Sequence, residues 1–241
     1  MKEALLIENL DLDRAGQSVL RGIGLEVAAG ERVGLIGPNG SGKSSLLRAC
    51  AGLLPCTGTL RVAGIDPRSD RLAARARFGM AVDPARLPEG LRVQQCIELV
   101  AHLRGLDADA VARAGELAGA LGLSPWLDAE VATCSLGTRQ KLCVVLALLG
   151  DPPLLLLDEV FNGLDPVAAW QLKTLLRERA AAGAGVLSTT HDLAGAEREF
   201  DRVILLIEGR IAAHWSRPAL DALGNQPGGL EAAVVAQLQA R

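Results

Sequence analysis

The chain has 241 residues, 49% of them hydrophobic, with a formal net charge of −3, which suits one α/β unit or two closely joined subdomains around a buried core. The mildly acidic balance argues against the basic footprint of nucleic-acid binding, and five cysteines without a Cys-x-x-Cys pair support neither a disulfide framework nor a zinc site. The longest apolar run, from Leu142 to Leu149, stops at Gly150-Asp151-Pro152-Pro153 and falls well short of the ~20 residues of a membrane-spanning helix.

In chain order, Met1-Lys2-Glu3-Ala4 lacks the charged-then-apolar layout of a secretory signal, so the cysteines are expected as small core residues in a reducing cytoplasm. Residues 4–8, 18–28 and 58–63 have strand character and predict an antiparallel β-layer. Residues 31–36 read as a short apolar strand, and a helix is expected from Ser45. The short apolar runs 78–82, 154–157 and 185–190, separated by helical segments, predict parallel core strands covered on both faces. Val93, Cys96, Ile97 and Val100 recur at helical spacing, as do Leu142, Val145, Leu146 and Leu149. The stretch 92–150 is therefore expected as a mostly helical insertion, leaving 1–91 and 151–215 as the core with its β-layer. Residues 202–207 and 210–214, joined at Glu208-Gly209, predict a hairpin, and the tail 216–241 an accessory helix over 230–238. Trp126, Trp170 and Trp215 belong to no motif and are expected to pack.

Between the strand ending at Ile36 and the helix lies Gly37-Pro38-Asn39-Gly40-Ser41-Gly42-Lys43-Ser44, which fits the phosphate-loop template of Gly, four residues, then Gly-Lys-Ser. Its glycines let successive N–H groups turn inward onto phosphate oxygens, and the helix N-terminus adds a favourable partial charge. Lys43 is expected to reach the β- and γ-phosphates of a nucleotide, and the Ser44 hydroxyl to hold Mg²⁺. The chain has 25 basic residues, of which only Lys2, Lys43, Lys141 and Lys173 are lysine; a lysine here suggests that a compact point charge is required. A second element, Leu154-Leu155-Leu156-Leu157-Asp158-Glu159, sets two acids at the carboxyl end of a buried strand, where open α/β sheets bind ligands. Asp158 is positioned to hold Mg²⁺, and Glu159 to polarise a water for attack on the γ-phosphate.

Three further stretches complete the order: Cys134-Ser135-Leu136-Gly137-Thr138-Arg139-Gln140 opening a helix, Asn162-Gly163-Leu164-Asp165-Pro166 after the acids, and His191 in Thr190-His191-Asp192. Over essentially the whole chain this order resembles the ATP-binding subunit of ATP-binding cassette (ABC) transporters, exporter-type with a Ser-Leu-Gly form of the signature. The resemblance implies an α/β P-loop NTPase core with a mostly parallel sheet, an N-terminal antiparallel β-layer and a helical subdomain. It implies residues 37–45, from Gly37 to Ser45, as the phosphate loop, with Asp158 as the Mg²⁺ acid and Glu159 as the catalytic glutamate. Ser135 and Gly137 match the signature loop, which acts on the γ-phosphate held by a second subunit. Asp165 matches the loop coupling the two sites, and His191 the switch histidine. ATP and Mg²⁺ are the implied cofactors. The implied partners are an integral membrane permease and a second ATP-binding subunit, identical or paralogous, holding the chain peripherally on the cytoplasmic face of the membrane.

The sequence departs from the family in several places. Cys134, Leu136 and Thr138 replace the first, third and fifth residues of the usual Leu-Ser-Gly-Gly-Gln signature. The aromatic residue that normally stacks on adenine has no counterpart; Arg14 stands at that position, where its guanidinium plane can stack instead or simply be solvated. The glutamine that senses Mg²⁺ and water is replaced by Asp83, either a hard oxygen ligand or a strand-end acid, and residues 84–90 after it are expected to face the membrane partner. Val160-Phe161 replaces the usual Pro-Thr or Pro-Ser after the glutamate. Two alternatives to an ATPase that powers export stay open here: a soluble ATP-driven switch in repair or on ribosomes, and a weakly hydrolysing nucleotide-dependent regulator.

Overall fold

The computed structural model describes residues 3–81 and 83–239. Met1 and Lys2, which open the segment read for a signal, and Val82, the end of one expected core strand, lie outside the described residues. Nine strands are described: β1 (Glu3–Arg14), β2 (Gln17–Ala28), β3 (Arg32–Ile36), β4 (Thr59–Val62), β5 (Phe78–Ala81), β6 (Leu154–Asp158), β7 (Gly185–Thr189), β8 (Arg202–Ile207) and β9 (Arg210–Ser216). The first sheet, in the order β2-β1-β4, is the antiparallel layer. The second runs β5-β6-β7-β3-β8-β9, parallel except for the edge strand β9.

The four leucines of β6 show why its sequence lacks polar alternation. All are buried, but Leu155 and Leu157 enter the core shared with the helical segment, while Leu154 and Leu156 enter the core shared with the β-layer. A strand between two cores has no face left for water. In β1 and β2, Leu5, Ile7, Leu10 and Leu12 meet Leu20, Ile23, Leu25 and Val27 in the second of these cores.

The helices are α1 (Lys43–Cys50), α2 (Arg71–Arg75), α3 (Val93–Leu103), α4 (Ala108–Ala120), α5 (Leu136–Leu148), α6 (Pro166–Ala181), α7 (Leu193–Glu199), α8 (Arg217–Gly224) and α9 (Gly229–Gln239). Among the described residues, no helix is long and apolar enough to cross a membrane. Helices α3, α4 and α5 fill the stretch read as a helical insertion. Cys50, Cys96, Cys134 and Cys143 are buried as small core residues, and Cys56 is half-buried.

Several expectations are corrected. Strand β1 runs to Arg14 rather than Glu8: its register shifts between Ile7 and Leu10, where Asn9 adopts φ 51°, and this bulge breaks the apolar alternation. Helix α1 begins at Lys43, two residues before Ser45. The tail holds α8 as well as α9, with Leu220, Leu230 and Val234 buried together against Phe200. Of the tryptophans, Trp215 packs on that cluster, but Trp126 and Trp170 are exposed, Trp170 at 64%.

Strands β6, β7 and β3 are neighbours, and in their register Asp158 pairs with Thr189 and Thr189 with Leu35. The chain therefore leaves β3 into Gly37, β7 toward His191 and β6 into Glu159 at one edge of the sheet.

Candidate active site

The turn from β3 into α1 is tight enough to need glycine twice. Gly37 has φ 151° and a Cβ there would collide with the Leu206 carbonyl oxygen; Gly42 has φ 107° and its Cβ would lie 2.7 Å from Leu20 Cδ2. Gly42 is also the N-cap of α1 and offers no side-chain acceptor, so the first-turn amides remain available to an anion. A cleft of about 180 Å³ is lined by residues 39–45 together with Val19 and Glu159.

Lys43 is 6% exposed, and its ammonium donates to the carbonyl oxygens of Gly37 (2.8 Å) and Pro38 (3.1 Å). Burial holds its pKa below the usual lysine value, against the pull of the nearby Glu159 and Asp158 carboxylates. This ammonium is only partly compensated and is poised for further negative charge.

Glu159 follows β6 with φ 50°, a left-handed conformation uncommon for a glutamate. The Thr189 hydroxyl fixes it: Thr189 Oγ1 accepts the Glu159 N–H (2.9 Å) and donates to Asp158 Oδ1 (2.7 Å). One buried hydroxyl thus orients both acids. The Glu159 carboxylate accepts at Oε2 from Asn162 Nδ2 at 2.7 Å, and its Oε1 lies 2.6 Å from His191 Nε2. Glu159, His191, Asp158 and Lys43 therefore come together. Thr189 and Asn162 were given no role from the sequence. Asn162 stands in a motif already singled out, and a threonine two residues before His191 was the available signal for the other.

The donor set fits a magnesium nucleotide. Backbone amides and an ammonium suit phosphate oxygens, while the Ser44 hydroxyl and the Asp158 carboxylate are the hard oxygen ligands that Mg²⁺ takes with waters and phosphates. Asp83 does not line this cleft; it is exposed, and its Oδ1 accepts the Ala85 N–H (3.0 Å), capping the short turn over residues 84–86. Arg14 is exposed at the tip of the β1–β2 hairpin, paired with Gln17, and does not line the cleft either, whereas Val19 does.

Ser135, Gly137 and Asp165 form a second constellation. Ser135 caps α5 by accepting the Thr138 N–H (3.2 Å), and a Cβ on Gly137 would lie 2.7 Å from the Gly163 carbonyl oxygen. Asp165 caps α6 through the Ala168 N–H (2.9 Å) and takes a hydrogen bond from Lys141 Nζ (3.0 Å). The Ala168 amide first, and then Lys141, hold the Asp165 carboxyl below the usual carboxylate range. None of these three lines the phosphate-loop cleft. Phe161 packs half-buried on the helical core with the Lys173 ammonium 5.8 Å from its ring centroid.

Comparison with known proteins agrees with this geometry. A family model described as ABC transporter matches residues 20–162. The chain is 36% identical over 200 residues to the daunorubicin/doxorubicin resistance ATP-binding protein DrrA of Streptomyces peucetius, covering 82% of this chain and 61% of that protein. It is 34% identical over 214 residues to Nod factor export ATP-binding protein I of Burkholderia orbicola, covering 88% and 70%. Among solved structures, an ATP-binding subunit of an ABC transporter superposes with a TM-score of 0.87 at 32% identity, covering 98% of both chains.

Proposed function

From the premise that the chain belongs to the ABC transporter family and is one of its ATP-binding, ATP-hydrolysing subunits, we propose that it binds ATP with Mg²⁺ in a two-subunit sandwich and drives a separate membrane permease in the direction of export. The observation that carries this reading is the Glu159 carboxylate, held by His191 beside Asp158 at the mouth of the phosphate-loop cleft.

The chemistry is phosphoryl transfer to water, so the protein supplies position and charge. The amides of residues 39–45 cradle the phosphates, and Lys43 exchanges its two carbonyl acceptors for phosphate oxygens. Mg²⁺, held by Ser44 and Asp158, supplies charge neutralisation when bound. Glu159 takes the proton of the attacking water, and His191 orients the glutamate and faces the γ-phosphate. The Ser135-capped start of α5 is a second anion-binding terminus. That it does not line the chain's own cleft supports a role on the nucleotide of the other subunit. Residues 92–150 act as the helical subdomain that carries it.

The permease-facing surface is read as the groove of about 610 Å³ lined by Leu53, Leu72, Phe78, Met80, Val100 and Leu103. Leu72 and Leu103 are 81% and 74% exposed there, and apolar exposure gathered in one groove is a mark of an interaction site. Docking through it places the subunit peripherally on the cytoplasmic face of the membrane. The direction of transport rests on the likeness to the resistance and Nod factor export proteins.

The test is a tagged Glu159→Gln chain purified with ATP and Mg²⁺ from detergent-solubilised membranes. The expected product is a trapped dimer with bound ATP, scarcely hydrolysing, together with a multi-span membrane protein in near-equal amount. Near-normal turnover, or recovery without any membrane protein, would refute the proposal.

A further inference from the structure

The side chain that completes the Glu159 clamp is Asn162, and we infer that Asn162 is a positioning residue for hydrolysis, holding the carboxylate in the plane from which it accepts the water proton. The inference rests on the reading of Glu159 as the base. Asn162 Nδ2 donates to Glu159 Oε2 at 2.7 Å, while the Asn162 backbone N–H donates to the Glu159 carbonyl oxygen at 3.0 Å. The residue is thus tied to Glu159 twice, once through the turn it closes and once through its amide.

The two residues inside that turn explain its rigidity. Val160 is fully buried and Phe161 is packed half-buried on the helical core, so both point inward, while Glu159 lines the cleft and Asn162 is exposed beside it. The Leu164 N–H closes the next turn onto the Phe161 carbonyl oxygen at 3.3 Å. Meanwhile the Glu159 N–H is fixed by Thr189, so its backbone cannot follow a moving side chain.

These backbone anchors leave the side-chain torsions of the glutamate free, and the least defined of them is the last. That torsion joins tetrahedral to planar carbon and has broad, weakly defined minima. A single contact from His191 on Oε1 would let the carboxylate plane swing about it; a second donor on Oε2 removes that freedom. Of the two ways an asparagine amide can face a carboxylate, only the one presenting its NH₂ group forms a hydrogen bond. Asn162 is exposed and touches the cleft only through Glu159, so its loss should alter turnover and leave nucleotide affinity in place.

Single-turnover hydrolysis and nucleotide titration with a fluorescent ATP analogue test this on the full chain, comparing Asn162→Ala and the isosteric Asn162→Asp, each alone and combined with Glu159→Gln. The expected result is a loss of roughly 10- to 100-fold in kcat, the range of a hydrogen bond to a charged group, with KM and affinity within about twofold. In the Glu159→Gln background the Asn162 changes should produce no further loss, because a residue acting through Glu159 has nothing left to position. Wild-type kcat in either single variant overturns the inference. So does an effect on KM alone, or the same fold-loss in both backgrounds. If Glu159→Gln itself hydrolyses normally, the reading of the base fails instead, so the two failures are distinguishable.

Discussion

Lys43→Met keeps an unbranched, flexible side chain in the slot behind the phosphate loop and removes the ammonium with its charge and its hydrogen bonds. Without nucleotide, two effects oppose one another. The variant loses the hydrogen bonds to the Gly37 and Pro38 carbonyls, at 2.8 and 3.1 Å, each worth about 1.5–3 kcal/mol for a charged donor. It also escapes the cost of burying an ammonium, several kcal/mol after relaxation, which is the effect that lowers the Lys43 pKa. The net change in folding stability should stay near ~1 kcal/mol. With ATP there is no such cancellation. A unit charge about 4 Å from a phosphate charge, at an effective dielectric near 20, contributes ~4 kcal/mol, so affinity should fall about a thousandfold. The pH dependence has a definite sign. Because the folded pKa lies below the unfolded one, the unfolded chain binds more protons between the two values, and wild-type stability rises with pH across that alkaline window. The Met variant should lack this rise. Calorimetric ATP titration and urea melts at several pH values check each part. ATP affinity within about threefold of wild type would refute the assigned role of the ammonium, and a stability loss as large as the binding loss would refute the compensation.

Gly79→Ala should be strongly destabilising: a Cβ on β5 would overlap the Ala147 carbonyl oxygen of α5 and sit 3.0 Å from Pro152 Cγ, so strand and helix must part. A loss of about 3 kcal/mol or more is expected in urea melts, and under ~1 kcal/mol would show that the contact relaxes cheaply. Asp201→Asn probes the tie between β3 and β8. Burial pushes the Asp201 carboxyl up, but the side-chain and backbone hydrogen bonds of Arg32 outweigh it and hold the group below the usual carboxylate range. A depressed carboxylate stabilises above its unfolded pKa of about 4 and loses that contribution as pH falls through its folded value. The Asn variant should therefore start about 1 kcal/mol less stable at pH 7, allowing for solvent screening, and decline less steeply below pH 4 in acid melts.

The core strands and the phosphate loop were legible because each is specified within a few residues. Four consecutive leucines can satisfy burial on both faces only between two cores, and the Gly37 and Gly42 positions exclude any side chain by direct contact. The extension of β1 beyond Glu8 was hidden by the reverse situation. Asn9 takes a positive φ at a bulge, and the alternation on which strand reading depends changes phase there. Helix α8 was missed because its burial is contributed from afar, Leu220 packing against Phe200 and α9. The exposure of Trp170 on α6 has the same kind of origin, since which face of that helix meets the core is settled by Leu172 and Leu176, and composition alone cannot report it.

The site divides along the same line. Glu159 and His191 are 32 positions apart in sequence, and motif order placed both near phosphate, but nothing in the order says that their side chains touch. That contact follows from the register that sets Asp158 opposite Thr189, which lets one threonine hydroxyl fix the Glu159 backbone while His191 emerges two residues later. Ser135 and Asp165 carry the opposite lesson. Each spends its side chain capping a helix, Ser135 on α5 and Asp165 on α6, and Lys141 and the Gly137–Gly163 approach bind the two helix starts together. The capped start of α5 lies outside the cleft of the chain's own phosphate loop, so on the proposed reading each chain supplies half of a site. On that reading, hydrolysis then needs a second subunit to bring the other half, and closure of the dimer is the step that ATP binding would control.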